Sequence, residues 1–152
     1  MNSVAGTVET QRPSTESLRV ACRLLREGKQ AIGLLAVSKD VVMSPIVTAL
    51  GAALEWVSHQ PSAILAADGN VCASVATLAQ RIQIERRHSA HVLVDLSRAQ
   101  SRGEHGALID VLDGVLLVCS AGHARDVDLL RVARELPIGC SLGALLVGGR
   151  GA

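Results

Sequence analysis

Residues 31–54 read AIGLLAVSKDVVMSPIVTALGAAL. The first seven, AIGLLAV, are apolar without interruption, the pattern of a short strand covered on both faces. A turn over SKDVVMS follows, and a small-residue helix is predicted from about Pro45 to Ser58, with its proline tolerated in the first turn. A buried strand, a turn and a helix opening in that order form the first half of a βαβ unit.

The rest of the chain repeats the rhythm. Upstream, Leu18, Ala21, Cys22 and Leu25 fall at helical spacing between Glu16 and Glu27, with Gly28 as a stop. Downstream, apolar runs of strand length occupy 62–67, 91–96, 114–120 and 142–148, and helices are predicted over 71–88 and 123–136. A loop and a short helix join the strands at 91–96 and 114–120. Strands alternating with helices predict right-handed crossovers and a mostly parallel sheet of about five or more strands. The reading is one α/β domain over 16–149, a flexible tail over 1–15 rich in polar residues, and a short C-terminal tail over 150–152. Ligands of such sheets bind beyond the carboxyl ends of the strands, so the loops after Val37, Ala67 and Val94 are the candidate site.

Composition narrows the function. The chain has 152 residues, 49% of them hydrophobic, enough for one continuous core. One Trp and no Tyr or Phe leave that core to aliphatic residues and argue against a base-stacking nucleic-acid platform. A net charge of +1 gives no global pull toward a polyanion. Cys22, Cys72, Cys119 and Cys140 are scattered and read as buried free thiols, not as a metal or disulfide framework. His59, His88, His91, His105 and His123 lack ligand spacing, and surface or capping roles are expected for His88 and His91 at a helix-to-strand junction. No signal peptide or membrane span is read, so a cytoplasmic location is the default expectation.

Segments 31–54, 64–68 (ILAAD), 91–97 (HVLVDLS) and 113–149 resemble, in order, the motifs of the bacterial polysaccharide tyrosine kinases and their deviant P-loop ATPase relatives. The first resembles the strand, S-P-G-E-G-K-S-T turn and small-residue helix of their Walker A region, with Ser38 and Ser44 on matching serines. The second places Asp68 on the last residue of the L-I-D-A-D motif. The third places Asp95 on the Walker B aspartate. ESLRVACR, 16–23, is similar to the E-x-x-R helix preceding the first strand, which in the family joins neighbouring protomers. The resemblance therefore implies a P-loop NTPase-like fold and an interface at Glu16, Arg19 and Arg23.

The departures from that pattern bear on chemistry. A phosphate cradle needs glycines whose backbone N–H groups converge on the ligand and a lysine that neutralises it. Here the glycine positions hold Asp40 and Val42, the lysine position holds Met43, and Pro45 removes an N–H donor. One lost charge-assisted contact costs on the order of 1.5–3 kcal/mol, and several are lost together. Lys39 sits on the wrong side of the turn to substitute. Ala66 stands for the first aspartate of the second motif, no tyrosine remains to be phosphorylated, and the interval from Asp68 to Asp95 is shorter than the family's. For Asp68 and Asp95 a role in capping the next turn is expected.

These readings predict a protein that is not an enzyme: a pseudo-ATPase or pseudokinase serving polysaccharide synthesis or export as a structural or regulatory subunit. No cofactor is expected, ATP and magnesium included. The implied partner is a protein, a membrane polysaccharide co-polymerase or a related ATPase, which would hold the chain peripherally at the inner membrane; homo-oligomers also fit. The alternatives are a nucleotide-binding switch using Ser44, Asp68, Asp95 and Lys39, and a partition-type relative that binds DNA non-specifically through Arg81, Arg86 and Arg87. Trp56 is expected in or near the core, an exposed position marking an interface instead.

Overall fold

The computed structural model describes residues 12–38, 40–67, 75–120 and 126–147. Five strands form one all-parallel sheet: β1 (Ala31–Ala36), β2 (Ser62–Ala66), β3 (His91–Asp95), β4 (Gly114–Ser120) and β5 (Ser141–Val147), in spatial order β2-β3-β1-β4-β5. The predicted α/β architecture is what the chain adopts. The helices are α1 (Thr15–Arg26), α2 (Met43–Ser58), α3 (Val75–Arg86), α4 (Ser97–Ser101), α5 (His105–Leu108) and α6 (Asp126–Arg134), with a 3₁₀ turn at Ile109–Val111. Helix α1 begins inside the segment read as tail, because Ser14 caps it by accepting the Ser17 N–H at 3.2 Å. Helix α2 starts at Met43, two residues earlier than expected, and Pro45 remains within its first turn.

The central strand explains the apolar run. β1 pairs with β3 on one side and β4 on the other, so Ala31, Ile32, Leu34 and Leu35 are fully buried. One face of the sheet is covered by α1 and α2, whose Val20, Ala21, Leu24, Val47, Leu50 and Leu54 pack on Ile32, Leu34, Leu93, Leu116 and Leu145. The opposite face is covered by α3 to α6, through Leu78, Ile82, Ala99, Leu108 and Val132 among others. Glycines let bulky neighbours cross the strands: a Cβ on Gly33 would stand 2.6 Å from Leu112 Cδ1, and one on Gly114 only 2.5 Å from Leu142 Cγ.

Both edges carry local devices. On β2, residues 62, 64 and 66 point their backbone groups away from β3, and the Ser62 N–H donates to the Glu55 carboxylate at 2.9 Å. Among the described residues β2 pairs with β3 alone. On β5 the register with β4 shifts by one residue between Val115 and Leu117, a bulge holding Gly143 at φ +112°. At the sheet's amino end Asp113 accepts the N–H groups of Gln30 and Ala31, each at 2.9 Å, and pairs with Arg86 at 3.4 Å.

Three expectations are corrected, the first at Trp56, which is not in the core but exposed on α2, where the helix turns its outer side to solvent. His91 is neither surface nor cap: as the first residue of β3, in register with Ser62 of β2, it is buried, with Nδ1 unpartnered. Cys22 is not a buried thiol but lies on the exposed side of α1, while Cys119 is buried and Cys140 half-buried. Burial pushes both of those thiols above the ordinary range.

His91 gives a pH prediction. Burial holds its imidazole below the ordinary value of about 6.5, so the folded state disfavours the proton that the unfolded chain takes up. The unfolded state then binds more protons, and stability is full above about pH 6.5 and lost as pH falls through the folded value. The melting temperature should drop between about pH 7 and 5, and His91→Gln should flatten that drop. Parallel profiles for the two proteins would refute the assignment.

Candidate crevice at the carboxyl end of the sheet

The order β2-β3-β1-β4-β5 fixes where a site can lie. The chain leaves β1 over the α2 face toward β2, and leaves β4 over the other face toward β5. Connections that diverge from adjacent strands open a crevice between them. A cavity of about 640 Å³ sits there, within the usual size of a small-molecule site. Its floor is Ala36, Val37, Ser38 and Val41; α4 and α5 supply Ser97, Gln100, Ser101 and His105; α6 supplies Arg131, Val132 and Glu135.

The turn after β1 is tied to the sheet, with Val37 N–H donating to the Val118 carbonyl at 2.9 Å. None of its described residues adopts a positive φ. Asp40 and Val42 are exposed, and Val42 caps α2 without any side-chain hydrogen bond. Met43 turns away from the crevice and is 4% exposed, packed in the cluster of Ile32, Leu34 and Val47. The position that the resemblance assigns to a phosphate-binding lysine is thus a core position.

Gln100 organises the end of β1. Its Oε1 accepts the Ala36 N–H at 3.0 Å, and its Nε2 donates to the Ala36 carbonyl at 2.7 Å. β3 has already left the sheet at Asp95, so the side-chain amide takes the place of the next strand residue. Asp95 makes the expected turn cap: its Oδ1 accepts the Ser97 N–H at 2.9 Å and starts α4. Two polar atoms at the crevice, Ser38 Oγ and His105 Nδ1, are buried without a hydrogen-bond partner.

Of the residues singled out in the sequence, Ser38 lines the crevice, Asp95 caps α4 beside it, and Ser44 is exposed on the first turn of α2. Lys39 and Asp68 lie outside the described residues. β2 is an edge strand two places from β1, and the loop after it lies outside the described residues; among the described residues α6 after β4 supplies a wall. Ser97 ends the quoted segment 91–97 without a role assigned to it; Gln100, Ser101 and His105 carried no motif, and the charges of the helix that holds Arg131 and Glu135 are those of an ordinary solvated face. Glu16 pairs with Arg19 along α1, which keeps the Arg19 guanidinium above its ordinary range, first through their hydrogen bond and then through charge. Arg23 pairs with Glu27 at 3.1 Å and its Nη1 would meet a Cβ on Gly143 at 2.8 Å. Of the arginines considered for DNA, Arg86 is turned to Asp113 and Arg81 is half-buried.

A scan against protein-family models finds no match to this chain, and a search of curated proteins finds none. The resemblance to the polysaccharide kinases therefore rests on the quoted segments. Among the described residues no three His, Cys, Asp or Glu side chains gather as a metal set, and no helix is long and apolar enough to cross a membrane.

Proposed function

We propose that the protein is a non-catalytic binding subunit built on a P-loop ATPase-like chassis, acting through protein contacts and not through nucleotide turnover. The observation that carries this reading is the strand–turn–helix of residues 31–58: Met43 is packed in the core, and the turn presents Asp40 and Val42 where a cradle needs glycines. An anion arriving at the start of α2 would meet no lysine from that position, and Pro45 offers no N–H. The resemblance adds the context: a regulatory or structural partner in polysaccharide synthesis or export, docked on a membrane co-polymerase or a related ATPase.

Calorimetry and thermal shift with ATP or ADP plus magnesium test the reading. A micromolar site at a thousandfold ligand excess over its Kd would stabilise the fold by about 4 kcal/mol, a large and easily read shift. The expected result is no binding heat and no shift at millimolar nucleotide. Micromolar binding would overturn the proposal in favour of a nucleotide switch.

A further inference from the structure

We propose that the outer side of the α1–α2 pair is a docking surface for an amphipathic helix of a partner protein, acidic along one flank. The inference rests on the reading of this protein as a binding subunit and names the surface it would use. Helix α2 carries one charged residue, Glu55, in sixteen, and its carboxylate is already engaged by Ser62. A helix with so little polar surface normally lies inside a protein. Yet Pro45, Ala49, Ala52 and Trp56, spaced four, three and four apart, form one exposed stripe along its full length. Trp56, the only aromatic residue of the chain, is 42% exposed at the end of that stripe.

Helix α1 supplies the rest of the surface. It packs beside α2 on the same face of the sheet, joined through Leu18, Ala21 and Val57. Leu25 shares the Leu18–Ala21 side of α1 and is also 42% exposed, which widens the apolar strip toward α2. Beyond it runs a ridge at Arg19, Cys22 and Arg26, spaced three and four apart and exposed throughout. Glu16 engages Arg19, whereas Arg26 has no ion-pair partner among the described residues. The strip is therefore apolar and small along its floor, with alanines that allow close helix approach, and one unpaired positive charge, Arg26, stands along its side. An apolar helix face flanked by carboxylates complements it in shape and in charge.

The single tryptophan makes the surface directly observable. The probes are two synthetic Trp-free amphipathic helices with the same Leu/Ala stripe, one with glutamates along its flank and one with lysines there. The glutamate peptide should shift Trp56 emission to the blue and bind at least about tenfold more tightly than the lysine peptide, the gap narrowing as salt rises. Ala52→Glu, at an exposed position where glutamate favours helix, should melt as the parent does and lose binding of the glutamate peptide by a similar factor. The proposal is overturned by an unmoved emission spectrum, by equal affinities, or by undiminished binding to the variant. Trp56 emission that changes with protein concentration alone also overturns it, since a second copy would then own the surface. If the peptide fails while nucleotide still does not bind, only this surface is lost; if nucleotide binds, the underlying reading is lost whatever the peptide does.

Discussion

Met43→Lys is expected to destabilise the fold by roughly 3–5 kcal/mol and to confer no nucleotide binding. The substitution restores the residue type that a phosphate loop uses, so a simple motif argument would forecast a gain. The packing forecasts the reverse. Met43 is buried against Ile32, Leu34, Val47 and Val118, and an ammonium placed there has no counter-charge, a situation that costs about that much. The sign with pH is fixed by the same burial: a lysine held below its ordinary value of about 10.4 in the fold loses its penalty as pH rises, because the neutral amine is tolerated. Urea unfolding at pH 7 and near pH 10 should show a large loss that shrinks at the higher pH. Met43→Leu, which keeps volume and polarity, should cost less than about 1.5 kcal/mol. A Lys variant as stable as the parent at pH 7 would mean that the side chain at 43 reaches solvent, and the assignment of this position to the core would fall.

The second large effect lies at the far end of the sheet. Gly114→Ala should cost about 1–3 kcal/mol, since its new methyl would lie 2.5 Å from Leu142 Cγ and 2.6 Å from both Leu142 methyls. Leu142 cannot step aside freely, being 5% exposed between β4, β5 and α1. Leu142→Ala alone should cost about 2–5 kcal/mol by leaving a cavity. In the double variant the methyl on 114 occupies part of that cavity, so the combined loss should fall short of the sum by about 0.5–3 kcal/mol. The measurement is a double-mutant cycle from urea midpoints. Strict additivity would show that the two residues do not touch.

The fold was readable because parallel strands covered on both faces must be apolar along their length, and AIGLLAV, the VLV of 92–94 and GVLLVC of 114–119 are such runs. Strand order was not readable, since the same alternation of strands and helices serves several orders. The loop after Ala67, expected at the crevice, lies outside the described residues, while Arg131 and Glu135 of α6, on which no site reading rested, line that crevice. Ser38 and Asp95 were found because they end strands that prove central. Gln100 could not have been, because a glutamine in a short helix announces nothing until the neighbouring strand is seen to stop one residue early. His91 was misplaced for a similar reason: a histidine after a basic helix end looks solvated until the register opposite Ser62 draws it into the sheet.

The clasp of Gln100 on Ala36 has a bearing on how this protein can change over generations. Ladder bonds between strands are made by backbone and survive almost any substitution, so most of the sheet is insulated from sequence drift. The last peptide of β1 is held by a side chain, and a single codon can release it. The crevice floor is thus a place in this architecture, like the Asp113 clamp at the other end of β1, where a point mutation can alter strand backbone geometry.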